Sequence, residues 1–132
     1  MTKSILSSAA ILGALAVALG AFGAHGLKQI VPTETVATFE TGVRYHFFHV
    51  FALLATGLVS MHYPVPQMRR AAQCFLVGIL LFSGSLYLLT FLKATASVGL
   101  GGIGLVTPVG GLFLIAGWLF LFWGVRVGKQ PA

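Results

Sequence analysis

Long apolar runs, broken at intervals by short polar or proline-containing stretches, organise this chain. No charged residue occurs from Ser4 to Gly23. A run of that length crosses a hydrocarbon layer of roughly 30 Å at about 1.5 Å per residue. Gly26 to Thr33 interrupts the pattern, with Pro32 followed by Thr33, which is read as the N-cap of the next helix. That helix begins amphipathic and becomes apolar from Phe47 to Met61, until His62-Tyr63-Pro64-Val65-Pro66 ends it. Arg69-Arg70 opens a third run, uncharged from Ala71 to Leu92 and closed by Lys93. A fourth follows Gly99, Gly101, Gly102 and Gly104, which mark a flexible connection, and has Pro108 in its first turn. The pattern predicts an all-α integral membrane protein: one domain over residues 1–132, with four transmembrane helices at about 4–25, 35–62, 70–92 and 106–126. A secretory signal peptide is the rival reading of the first run, because Lys3 precedes it and Ala21-Phe22-Gly23 resembles a cleavage site. The three further runs disfavour it.

Composition sharpens this picture. Of the 132 residues 58% are hydrophobic and 8% charged, with a mean hydropathy of +0.98, so lipid rather than water is the expected solvent. The formal charge is +6 and Glu34 and Glu40 are the only acids. The basic residues stand singly or as one pair at the ends of apolar runs, which argues against nucleic acid as a partner. Four spans would gather Lys3, Arg69, Arg70, Arg126 and Lys129 on one side and Lys28, Arg44 and Lys93 on the other. The positive-inside bias then places both termini in the cytoplasm. Cys74 is the single cysteine, which rules out an internal disulfide and a Cys-x-x-Cys site.

Small residues recur at helical intervals. Ala16, Gly20 and Ala24 are four apart in helix one. Ala71, Gly78 and Ser85 in helix three, and Gly110, Gly117 and Gly124 in helix four, are seven apart, the repeat of a left-handed seam. Together with Gly20 and Gly23 they predict helix-packing faces, within the chain or toward a homo-oligomer or membrane-protein partner.

The polar residues that could carry chemistry gather near the outer boundary: His25 at the end of helix one, and Glu40, Arg44, Tyr45, His46 and His49 on helix two. Thr38, Gly42, Tyr45, His49 and Thr56 fall on one stripe, Glu40 and Arg44 on another. The i, i+4 spacing of Glu40 and Arg44 predicts a local ion pair, with anion or headgroup binding by Arg44 as the functional alternative. His46 and His49 differ by about 60° around the axis, so they could ligate a metal or haem only with help from another helix, such as His25. Interhelical hydrogen bonding is the simpler expectation. No nucleophile–base pair, paired carboxylates or cofactor loop is visible, so no catalytic residue, metal site or cofactor is assigned, and an enzyme is not expected. The remaining functional readings are an accessory or scaffolding subunit of a membrane assembly, or a transporter or channel for a small solute or ion.

Two motifs carry a family resemblance: Gly20-Ala21-Phe22-Gly23-Ala24-His25-Gly26 and Thr41-Gly42-Val43-Arg44-Tyr45-His46-Phe47-Phe48-His49. The chain resembles, over essentially its whole length, the small membrane proteins of domain-of-unknown-function family 423, related to transmembrane protein 256. Gly23, His25, Gly26, Tyr45 and His49 match that pattern. The resemblance implies a small multi-span protein of the bacterial plasma membrane and brings no established activity or residue role with it.

Overall fold

The computed structural model describes residues 1–95 and 101–129. They form helices α1 (Thr2–Ala24), α2 (Thr33–His62), α3 (Pro66–Ala94), the single turn α4 (Gly101–Gly104) and α5 (Val106–Val127), with a short 3-10 turn at Leu27–Gln29 between α1 and α2. There is no strand among the described residues. Four helical segments are long and apolar enough to cross a membrane, the last running from Gly101 through Val127. Gly99 lies outside the described residues.

Proline chemistry sets the starts of the helices. Pro32, with φ −62° and ψ 157°, is itself the N-cap of α2, and its carbonyl accepts from the Thr35 and Val36 amides at 3.0 and 3.1 Å. Thr33, read from sequence as the cap, is instead the first helical residue. The ring fixes φ near the value a cap needs, so no side-chain cap is required. Pro66 does not merely end α2. It occupies the first turn of α3, where its missing N–H costs nothing, so α3 begins four residues before Arg70. Lys93 lies inside the last turn of α3, where its charge suits the negative end of the helix dipole.

The spans pack in chain order as an antiparallel series: α1 on α2, α2 on α3, α3 on α5. Contact between α2 and α5 is slight, and α1 and α5 share no extended face among the described residues. α2 is therefore covered on both sides, and it is both the most buried and the least apolar of the four segments. Polar side chains can be carried there because neighbouring helices, not lipid, surround them. On α1 and α5, Ile11, Leu15, Leu112 and Leu119 turn outward.

The closest seam joins α3 and α5. Small residues of each helix face large residues of the other: Gly78 meets Leu114, Gly110 meets the backbone of Phe82, Gly117 meets the ring of Phe75 and Gly124 meets Met68. All four glycines are buried, and a Cβ at Gly117 would come within 2.6 Å of the Phe75 ring. Ser85 and Thr107 close the series with a hydroxyl bond of 2.6 Å. The α1–α2 seam is built differently from the four-residue reading. Ala24 is exposed and Gly20 half-buried, while Ala9, Ala16 and Gly23 are buried against α2. Steps of four residues drift about 40° per step around a helix, whereas steps of seven drift about 20°, so the seven-residue series stays on the interface.

Candidate functional site

Near the outer end, the chain leaves α1 at His25, the C-cap, and passes through Gly26 into the 3-10 turn. Leu27, 2% exposed, drops into a small core with Val31, Val36 and Phe39. Gly23 admits the Phe39 ring, to which Phe22 adds an edge contact at 6.0 Å. The Gly-Ala-His-Gly ending is thus a tightly packed reversal, and His25 is exposed on its outside.

The six polar residues singled out in the sequence do not form one cluster. Glu40 and Arg44 are both exposed, and no ion pair joins them among the described residues. On an exposed helix face such a pair is worth only a few tenths of a kcal/mol, too little to hold two long side chains together. His25 cannot assist His46 or His49. The α1–α2 register, read from Gly13 against Val50 and Gly20 against Val43, places His25 beside the early part of α2, on the order of 12 Å along the axis from His46. No group of three or more His, Cys, Asp or Glu side chains among the described residues is placed to hold a metal ion.

Instead, the two buried histidines turn to different neighbours. His46, 1% exposed, bonds through Nδ1 to the Tyr87 hydroxyl of α3 at 2.9 Å. Its Nε2 is buried and makes no hydrogen bond of good geometry among the described residues. Tyr87 also packs on Phe39 at 5.1 Å and against Gly42. At that point Ser83 Oγ donates to the Gly42 carbonyl at 2.7 Å.

His49, 6% exposed, looks toward α3 and α5. Its Nδ1 lies 2.7 Å from the Tyr45 carbonyl, and its Nε2 accepts from the Trp118 indole N–H at 3.2 Å. A carbonyl can only accept and an indole N–H can only donate, so both bonds are satisfied together by one species, the neutral imidazole with hydrogen on Nδ1. The Nε2 lone pair that a metal would need is thereby occupied. Phe75 fills the space beneath, 5.8 Å from the His49 ring and 5.4 Å from Trp118, and Tyr45 stacks above His49 and against Phe82. This arrangement can align three helices and exclude water; it presents no nucleophile beside a base.

Tyr87, Trp118, Phe75 and Ser83 escaped the sequence reading. An aromatic or serine inside an apolar run reads as lipid-facing or as packing, and its partner depends on a helix rotation that hydropathy does not encode. The one available signal was the i, i+4 pair Ser83 and Tyr87, a polar stripe on an otherwise apolar span.

Four apolar antiparallel spans, joined through buried polar pairs, define a small polytopic helical membrane protein. The chain belongs to the family described as "Protein of unknown function (DUF423)", whose model matches residues 19–111, from late α1 into α5. It is similar to a UPF0382 membrane protein of Haemophilus influenzae, 38% identical over 98% of this chain and 99% of that one. The UPF0382 inner membrane protein YgdD of Escherichia coli is 38% identical over 98% and 95% of the two chains, and the UPF0382 membrane protein YwdK of Bacillus subtilis 34% over 90% and 93%. No solved structure matches the chain.

Proposed function

We propose that this protein is a non-enzymatic accessory subunit of a larger membrane assembly in the plasma membrane. The observation that carries the reading is how the polar groups are used. His46 with Tyr87, His49 with Trp118 and Ser85 with Thr107 bond helix to helix instead of facing a common chamber. Such a framework holds a shape, and its outer helices α1 and α5 each have one face against a neighbour and the other free for lateral association. A relative named as an inner membrane protein supports the location. Extraction in a mild detergent, followed by mass spectrometry of the intact complexes, is expected to retain a reproducible protein partner or further copies of the chain. A lone monomer in every preparation would remove the basis for the proposal.

The orientation within the reading has both termini in the cytoplasm, resting on five basic residues at the end shared by Met1, the Tyr63–Val65 connection and Lys129 against three at the other. A green fluorescent protein fused after Ala132 is expected to fluoresce and an alkaline phosphatase fused there to be inactive. The reverse pair of results would invert the topology.

A further inference from the structure

The adjacent arginines that open α3 point to opposite sides. Arg70 lies over the Phe120 ring of α5, with Cζ 6.0 Å from the centroid. Arg69 instead lines a cleft of about 420 Å³ between the first turns of α1 and α3, within the range of roughly 300–1,000 Å³ typical of small-molecule sites. The cleft exists because α1 packs on α2 and not along α3, and it is closed below where Ile5 and Ala72 join the same core. Ser4, Ser8 and Gln73 share its wall, and Ile5 and Leu76 form its apolar side. Three of the other grooves are walled almost wholly by apolar side chains, and the fourth has Arg70 and Gln73 at its edge beside Val77, Phe113 and Phe120.

We infer that this cleft binds the headgroup of an anionic phospholipid, with Arg69 on the phosphate and an acyl chain leaving along Leu76 and the lipid-facing side of α1. Three observations converge. The hydroxyls of Thr56, Ser60, Ser83, Ser85 and Thr90 are all bonded within the protein, whereas those of Ser4 and Ser8, the Gln73 amide and the Arg69 guanidinium have no hydrogen-bond partner among the described residues. The charge at this end is uniformly positive: Lys3 and Arg69 lie at it, Arg70 is turned away onto Phe120, and both acids, Glu34 and Glu40, lie at the far end of α2. The cleft sits at the end of the spans and joins donors for a phosphate to an apolar wall for a chain. A free anion would use the donors and leave that wall without a role. The inference does not depend on the accessory-subunit reading or on which leaflet the cleft faces.

The test is native mass spectrometry of the full-length protein in neutral detergent, titrated with phosphatidylglycerol or phosphatidylcholine. Phosphatidylglycerol adducts are expected to persist where phosphatidylcholine is lost. Arg69→Gln is expected to weaken phosphatidylglycerol binding about fivefold and Arg70→Gln to leave it unchanged. If Arg69→Gln does not fold, the double variant Ser4→Ala/Ser8→Ala carries the test, with an expected loss of about threefold. Equal retention of the two lipids, or undiminished phosphatidylglycerol binding in the variant that folds, overturns the assignment. Displacement of phosphatidylglycerol by millimolar inorganic phosphate also overturns it, in favour of a free-anion site.

Discussion

Gly110→Val is expected to destabilise the protein by about 3 kcal/mol or more, at or beyond the upper end of ordinary overpacking. A Cβ at this position would fall onto the backbone N and Cα of Phe82. Backbone cannot turn away as a side chain can, so α5 would have to move off α3. The other contacts in the same register, Leu114 on Gly78 and Phe75 on Gly117, would open with it. Gly101→Ala is the matching control. Among the described residues nothing lies within 4 Å of a Cβ there, and replacing a helical glycine stabilises by about 0.5–1 kcal/mol when its conformation suits alanine. Reversible unfolding in mixed micelles, followed by circular dichroism, reads both. A Gly110→Val protein as stable as the parent would contradict the seam.

Phe75→Ala ranks second, at about 2–3 kcal/mol. Phe75 is fully buried and touches Gly117, His49 and Trp118, so three helices meet on its ring. In a water-soluble protein the same truncation costs about 3–5 kcal/mol, part of it transfer of the ring out of water. That part shrinks in a bilayer, where the separated helix would expose the ring to lipid, and the lost packing remains. The double variant Phe75→Ala/Gly117→Leu should recover part of the loss, because the new side chain enters the space the ring leaves. Additive losses in the double variant would mean that residues 75 and 117 do not oppose each other.

The four spans and the seven-residue seam of α3 and α5 were legible in the sequence because each follows from a periodicity: apolar length for the spans, glycine spacing for Gly110, Gly117 and Gly124. Local chemistry shifted the ends, as at Pro32 and Pro66, where a fixed φ matters more than a capping hydroxyl. The candidate site was legible only as residue types. His46 and His49 stood out as polar groups in an apolar run, but their separation to different partners depends on how α2 is rotated between α1 and α3. His25 looked near to them because two helix ends adjoin, and the antiparallel register carries it away along the axis. Glu40 and Arg44 had the spacing of an ion pair and nothing around them to enforce it.

The open edges of the helix series are the centre of the proposed role, and site-specific photo-crosslinking in native membranes tests them most directly. A photoreactive side chain would replace Leu119, which is 63% exposed on α5, and in a second protein Leu114, which is 4% exposed and packed on Gly78. The accessory-subunit reading predicts a discrete higher-mass polypeptide adduct from position 119, identifiable by mass spectrometry, and none from position 114. Labelling of lipid alone at position 119, with no polypeptide captured there or from Leu15 on α1, would contradict it.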